Sequence, residues 1–180
     1  MKKLTLGTSV IAIMLIGSFG PVVAAGQRQP NLTPFPAQDI RVVQNSNGTT
    51  YLRFSTLGWN NGAGPLEIRA GAIDSVNGKQ EVIQRIYNDD GTYSEVKAGS
   101  FTYHATHGHI HFDDYALYTL QPVVANGAAN RIGQKTTFCI MDTTKVNIRI
   151  PNASKRAIYK TCGNVMQGMS VGWGEKYGYQ

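Results

Sequence analysis

Charged residues are scarce in this chain of 180 residues, at 16% of the total, and cysteine occurs only twice. With 42% apolar residues, so few charges exclude an intrinsically disordered chain and a coiled coil. No apolar run reaches the ~20 residues that a membrane-spanning helix needs, and no window carries a sustained apolar stripe at helical spacing. Glycine and tyrosine are abundant instead, with 20 and 9 residues, which favours strands and turns.

The first 25 residues have the pattern of a secretory signal peptide. Lys2 and Lys3 form a basic start, an apolar stretch follows at residues 10–16, and small residues at 22–25 offer a cleavage site. A membrane anchor is the alternative, but glycine, serine and proline within residues 17–21 break the apolar run. We therefore predict a secreted or periplasmic protein that has no membrane attachment after cleavage.

The chain after cleavage carries only a mild positive charge. Without the first 25 residues, 15 basic and 11 acidic residues remain, a net charge of +4. The basic residues are scattered and not interleaved with aromatic residues, so we expect no nucleic-acid partner.

Short strand-like segments separated by turns dominate the rest of the chain. Three prolines make residues 26–38 an extended lead-in, and residues 39–180 form one predicted β domain. Residues 45–48 and 89–91 carry hairpin-turn signals. The pattern predicts an all-β fold with long loops, an antiparallel β-sandwich-like domain or a barrel. The predicted strands are 39–44, 51–57, 66–69, 81–87, 93–96, 100–103, 110–120 and 136–141, and residues 168–180 show no strand pattern.

The two cysteines most simply form one disulfide, since the chain is predicted to be exported. Cys139 and Cys162 enclose 22 residues, and a bridge between them would stabilise the fold by about 3 kcal/mol. Two metal-binding thiolates are the alternative, but the sequence lacks the C-x-x-C spacing typical of such sites.

All four histidines lie within eight residues, at positions 104, 107, 109 and 111. Alternate residues of a strand face the same way, with their Cα atoms ~6.5–7 Å apart. His107, His109 and His111 are therefore predicted to converge on one metal ion, helped by a bend at Gly108. His104 has the opposite parity and could join only if residues 105–106 form a turn, so we expect it outside the set of ligands. A histidine-rich surface strand without metal is the alternative.

Three neutral imidazoles suit Cu(II) or Zn(II), and iron is a third choice. The usual order of affinities favours copper over zinc at a nitrogen site. Three protein ligands also leave positions open for water or a substrate, as in catalytic centres. Zinc and iron enzymes use H-x-H pairs too, so the spacing alone leaves the metal open. Because imidazole must be neutral to bind, copper affinity should weaken below about pH 6.

Three motifs in order carry a family resemblance. The first is the histidine spacing H-x-x-H-x-H-x-H at residues 104–111, followed by Asp113 and Asp114. The second, residues 135–144, is similar to the pattern Lys-x-x-Phe-Cys-x-x-Asp-Thr, and the third, residues 167–177, to Gln-Gly-x-Ser-x-Gly ending in tyrosine. Together they resemble the catalytic domain of the lysyl oxidase family, copper amine oxidases that deaminate peptidyl lysine. The resemblance starts near residue 30, and the signal peptide is of bacterial style.

This resemblance implies a cofactor and a reaction. His107, His109 and His111 would bind Cu(II), and Lys135 and Tyr177 would form lysine tyrosylquinone, a cofactor built from the chain's own side chains. A primary amine, either a peptidyl lysine or a small amine, would be oxidised by O2 to an aldehyde, with release of H2O2 and ammonia. The quinone carbonyl would capture the amine covalently, which divides one difficult oxidation into two half-reactions.

The reaction that the resemblance implies also needs a base that removes the α-proton next to the imine. Asp113, Asp114 and Asp142 are the candidates, although each could instead hydrogen-bond a ligand histidine. The family continues with further strands after its quinone tyrosine, so we expect this chain to be C-terminally incomplete. A non-catalytic exported copper-binding protein is the alternative function, and a zinc or iron enzyme is the third hypothesis.

Overall fold

The computed structural model describes residues 26–123, 129–133 and 135–178. The predicted signal peptide, with Lys2 and Lys3, lies outside the described residues. Within these ranges the chain is all-β and antiparallel, which confirms the predicted fold class. Over the same ranges no helix has the length and apolar character that crossing a membrane requires.

The described part of the chain contains thirteen strands. They are β1 (Gln27–Arg28), β2 (Leu32–Pro34), β3 (Gln38–Gln44), β4 (Thr50–Asn60), β5 (Leu66–Asp74), β6 (Lys79–Asn88), β7 (Tyr93–His104), β8 (His109–Phe112), β9 (Thr119–Leu120), β10 (Arg131–Ile132), β11 (Thr144–Lys145), β12 (Met166–Met169) and β13 (Trp173–Tyr177).

Two antiparallel sheets form the body of the domain. The larger has the order β12-β5-β6-β7-β8, and β1 pairs with the end of β6. The second has the order β11-β13-β4-β2, and β3 also pairs with β4. A small pair, β9 and β10, lies apart from both. The proline-containing lead-in supplies β1 to one sheet and β2 to the other, so it links the two.

Both predicted hairpins are present. β3 pairs with β4 and β6 with β7, and the turns between them contain Gly48 and Gly91 at φ +82° and +83°. Glycine adopts this left-handed conformation without a steric penalty, which is why these turn sequences were informative.

Three expectations about strands were wrong. The predicted strand 110–120 ends at Phe112, and only Thr119–Leu120 is extended and paired beyond it. Residues 136–141 form no strand; Phe138 makes a single β-bridge with Phe112. The glycine-rich end, in contrast, forms β12 and β13. Periodicity missed these last strands because consecutive residues are buried, at 167–169 in β12 and at 173–175 in β13, so apolar and polar residues do not alternate there.

The core joins the larger sheet to an irregular stretch, residues 135–142, which we call the 135–142 segment. Phe138 and Ile140 of this segment pack against buried side chains of β5, β6, β7 and β12, namely Leu66, Ile68, Val82, Phe101 and Met169. Tyr115, Tyr118 and Tyr177 pack around this cluster. Burial of each large apolar side chain contributes roughly 1.5–3 kcal/mol, so the segment is held firmly although it is not a strand.

The predicted disulfide is confirmed. Cys139 and Cys162 are bridged, with Cα atoms 5.3 Å apart. The bridge fixes the middle of the 135–142 segment, next to the buried Phe138 and Ile140.

Gly168→Ala should destabilise the fold. An added Cβ would lie 2.2 Å from the Leu66 carbonyl oxygen and 2.9 Å from the Tyr159 ring, so β12 could not keep its pairing with β5. We expect a loss of about 3 kcal/mol in the free energy of unfolding, measured by urea denaturation with tryptophan fluorescence. Gly163→Ala is the control, because the nearest atom to its new Cβ is 3.9 Å away. Equal stability of the two variants would contradict the packing described for β12.

Candidate functional site

The four histidines meet at the end of the β7–β8 hairpin. β7 ends at His104, β8 begins at His109, and the two residues are paired across the hairpin. The backbone N–H groups of His107 and Gly108 both donate to the His104 carbonyl, at 3.0 and 2.9 Å, which closes the turn. His107 therefore lies in the turn, not on the strand with His109 and His111 as the spacing had suggested. The turn at residues 105–106 is the one condition under which His104 could join the others.

The imidazole rings lie in contact with one another. The His104 ring is stacked on His107 and His111, with centroids 4.3 and 4.7 Å apart. The Nε2 atoms of His109 and His111 are 2.8 Å apart. One ring nitrogen each from His104, His107 and His111 lies within 4.8 Å of the other two. This group of three contains His104 in place of His109, whereas the spacing had predicted His107, His109 and His111.

This cluster fits a bound cation. The Nδ1 atom of His104 is buried and has no hydrogen-bond partner among the described residues, which is costly unless an ion or water satisfies it. The ring nitrogens of His104, His107 and His111 are close enough to share one ion, while the Nε2 atoms of His109 and His111 are at hydrogen-bond distance. Imidazole suits both Cu(II) and Zn(II).

Burial keeps the innermost histidine neutral and therefore able to bind a metal. His111 is 2% exposed, and burial, followed by the nearby positive charge of Lys135, lowers its pKa to about 4. The same two influences, together with His104 and His109, lower the pKa of the exposed His107. The Nδ1 atom of His111 lies 3.3 Å from the Thr137 hydroxyl, which orients the ring.

Lys135 and Tyr177 lie side by side although 42 positions separate them. The Lys135 Nζ atom is 5.1 Å from the centroid of the Tyr177 ring and 4.8 Å from that of Phe138. The rings of Phe138 and Tyr177 are in edge contact, with centroids 4.7 Å apart. The amine is therefore held against the tyrosine ring, as a covalent bond between the two side chains requires.

Backbone pairing brings this amine close to the histidines. The N–H groups of Phe112 and Phe138 donate to each other's carbonyls at 2.7 and 3.1 Å. Phe112 follows His111 directly, and Lys135 lies three residues before Phe138. The bridge therefore places the start of the 135–142 segment beside the histidine cluster, which agrees with the effect of Lys135 on the pKa of His111.

The Tyr177 hydroxyl is fixed by two backbone hydrogen bonds. It donates to the Cys139 carbonyl at 2.8 Å and accepts from the Cys139 N–H at 3.1 Å. Burial, and then the negative charge of Glu175, raise the pKa of Tyr177. Burial lowers the pKa of Lys135, although Glu175 opposes this. Lys135 therefore has more of its nucleophilic neutral form than an ordinary surface lysine.

The three aspartates that the sequence offered as bases form hydrogen bonds with side chains or backbone groups outside the Lys135–Tyr177 pair. Asp113 accepts hydrogen bonds from Lys79, Ser100 and Thr102, at 2.9, 2.8 and 2.8 Å; burial raises its pKa, but these bonds outweigh it and the pKa is lowered. Asp114 is exposed and 3.5 Å from the Thr136 hydroxyl.

Asp142 has a structural role in the described interior. Its carboxylate accepts from the N–H groups of Ile158, Tyr159 and Ser170, and from the Ser170 hydroxyl, at 2.7–3.2 Å. It joins the second and third motifs of the sequence, since Ser170 belongs to the third. These four hydrogen bonds hold the backbone of Ile158, Tyr159 and Ser170 against the 135–142 segment.

The sequence did not single out Glu175, which lies two residues before Tyr177 on β13. It is 4% exposed, and its Oε2 atom accepts from the Met141 N–H at 3.0 Å. Recognition of β13 as a strand would have identified it, because residues 175 and 177 then share a face.

Comparisons of this chain with known protein families, with curated proteins and with solved structures find no match.

Titration of the protein with Cu(II) should show which histidines contribute to metal affinity. In the metal-free protein at pH 7, His111→Ala should lower the affinity for Cu(II) by about 100-fold or more, and His104→Ala by at least tenfold, since loss of even an orienting group costs 10–100-fold. Isothermal calorimetry with a competing chelator measures both. Thr106→Ala, exposed in the same turn, is the control. Unchanged affinity in His111→Ala would rule out this cluster as the metal site.

The metal-free protein should lose stability in mild acid. The pKa of His111 is about 4 in the folded chain and ~6.5 when unfolded, so the unfolded chain binds one more proton between these values. Stability is therefore lost as the pH falls from about 6.5 to 4. His111→Asn should reduce this slope in urea denaturation at pH 4.5, 5.5 and 7, whereas exposed His107→Asn should change it less. Identical slopes in all three proteins would contradict the burial argument.

Proposed function

We propose that this protein is an exported copper- and quinone-dependent amine oxidase. It oxidises primary amines, peptidyl lysine or small amines, to aldehydes and releases H2O2 and ammonia. The observation that carries the proposal is the contact between Lys135 and Tyr177, 5.1 Å from amine nitrogen to ring centroid, close to a histidine cluster in which His104, His107 and His111 could share an ion. The resemblance to lysyl oxidases had paired these two residues from sequence motifs alone.

The residues fit both parts of the implied cofactor. His107, His109 and His111 would hold copper, with His104 available as a further nitrogen ligand. Copper supplies the one-electron chemistry by which O2 can oxidise a tyrosine ring, and a quinone built from Lys135 and Tyr177 supplies an electrophilic carbonyl that captures amines.

The protein's own groups prepare this chemistry. The lowered pKa of Lys135 favours a neutral amine with a free electron pair. The two hydrogen bonds to Cys139 hold the Tyr177 hydroxyl, and hence the ring, in one orientation. The buried ring of Phe138 packs against the rings of Tyr177, at 4.7 Å, and Tyr115, at 5.8 Å, and so supports the inner side of the pair.

Export is part of the proposal. The disulfide between Cys139 and Cys162 supports it, because such bonds persist in oxidising compartments. The disulfide also lies in the segment that carries Lys135, so oxidation stabilises the candidate site itself.

A peptide-mass map tests the proposal. The metal-free folded protein, given Cu(II) in air, should form a cross-link between the peptides that contain Lys135 and Tyr177, react with phenylhydrazine, and produce H2O2 from a primary amine. Lys135→Met should still bind copper but form no cross-link and lose all turnover, because the amine is needed for the quinone and is not a metal ligand.

Lys176→Met is the matched control. Lys176 is exposed on β13 between two inward-facing residues, so this variant should cross-link and turn over like the natural chain. A folded, copper-loaded protein without the cross-link would contradict the proposal and favour the non-catalytic copper-binding function.

A further inference from the structure

Glu175 is a buried carboxylate at the Lys135–Tyr177 pair. It and Tyr177 are alternate residues of β13 and share the face that meets the 135–142 segment. Glu175 accepts from the Met141 N–H, and Tyr177 bonds the backbone of Cys139. The carboxylate and the phenol are therefore held in parallel against one backbone stretch.

Four ionisable groups lie around Glu175. One is Tyr177 on the same strand; the others are Lys135 and Asp142 of the 135–142 segment, and Tyr115. Burial raises the pKa of Glu175 to about 8, with the charge of Asp142 acting in the same direction; the Met141 N–H, Tyr177 and Lys135 oppose the rise. Its charge in turn raises the pKa of Tyr115 and Tyr177, after the larger effect of burial.

The other carboxylates near the site are engaged in bonds within the fold. Asp142 accepts four hydrogen bonds that hold neighbouring backbone. Asp113 is ion-paired to Lys79, and this bond together with those from Ser100 and Thr102 lowers its pKa and weakens it as a base. Glu175 accepts one bond from Met141, and a neutral carboxylic acid is favoured where it lies.

We propose, on the basis of the proposed function, that Glu175 is the general base of this site and takes a proton from the primary amine substrate. The substrate arrives as R–CH2–NH3⁺ and gives one proton to the Glu175 carboxylate. The products of this step are R–CH2–NH2, whose nitrogen keeps the electron pair of the broken N–H bond, and the neutral carboxylic acid of Glu175.

Lys135 is a primary amine that already lies at this site, with its nitrogen 5.1 Å from the centroid of the Tyr177 ring. Before any cross-link forms, Lys135 is itself an alkylammonium group at Tyr177, and Glu175 stabilises its protonated form. A substrate amine that approaches the same ring meets the same carboxylate. A base that titrates near the working pH transfers protons most effectively, and the pKa of Glu175 lies in that range.

The test compares Glu175→Gln, which keeps the shape and the acceptor for Met141, with Glu175→Asp and Glu95→Gln. Glu95 is an exposed carboxylate paired with Arg85 and remote in sequence from the site. In the copper-loaded, cross-linked protein, Glu175→Gln should lower kcat/KM for a small primary amine by 10²- to 10⁴-fold and abolish the ionisation near pH 8. Glu175→Asp should restore part of the activity, and Glu95→Gln should match the natural protein.

A second readout uses the metal-free protein and needs no turnover. Competitive acetylation followed by peptide-mass analysis gives the pH at which Lys135 becomes reactive. This midpoint should move to lower pH in Glu175→Gln, because the carboxylate no longer stabilises the ammonium, and should not move in Glu95→Gln. Exposed Lys97 serves as the internal reference.

The outcomes separate the two proposals. If the natural protein oxidises amines and Glu175→Gln keeps its rate and pH profile, the role of Glu175 is overturned and the proposed function stands. The role of Glu175 is also overturned if the pH midpoint for acetylation of Lys135 is the same in Glu175→Gln as in the natural protein. In that case the carboxylate does not act on an amine at this position. If the natural, cross-linked protein oxidises no primary amine, the proposed function fails, and the role of Glu175 fails with it.

Discussion

The site depends on how the backbone of the 135–142 segment obtains its hydrogen bonds. The segment crosses the interior outside any sheet, except for the bridge at Phe138, and buried N–H groups need acceptors. An unsatisfied one would cost about 1–3 kcal/mol. Side chains of the third motif and one backbone carbonyl act in place of a neighbouring strand: Tyr177 accepts from Cys139, Gln167 from Ile140, Glu175 from Met141 and the Tyr159 carbonyl from Asp142.

These same contacts position the chemistry. The hydroxyl that bonds Cys139 belongs to the candidate quinone tyrosine, and the carboxylate that bonds Met141 is the candidate base. The bridge between Phe112 and Phe138 brings Lys135 towards the histidines, and the disulfide at Cys139 fixes the centre of the segment. Structural and chemical roles therefore fall on the same few side chains, so a variant that removes one must be checked for folding before its activity is interpreted.

Burial favours the neutral form of each of these ionisable groups at the site. It raises the pKa of Glu175 and Tyr177 and lowers the pKa of Lys135 and His111, and in each case the neutral form gains. A neutral imidazole can bind a metal, a neutral amine can act as a nucleophile, and a buried carboxylate with a raised pKa can take up a proton. Partial or full burial thus favours the neutral form of each of these groups.

Local chemistry determined what the sequence alone could predict. The turns at Gly48 and Gly91, the all-β class, the Cys139–Cys162 bridge and the clustering of four histidines rest on conformational preference, composition or short spacing. Strand parity did not predict the turn that brings His107 to His104, and β13, which aligns Glu175 with Tyr177, lacks alternation because residues 173–175 are all buried. The family resemblance had paired Lys135 with Tyr177, but only the tertiary structure places the two side chains in contact, because contacts across 42 positions arise from sheet pairing and core packing, which no local pattern encodes.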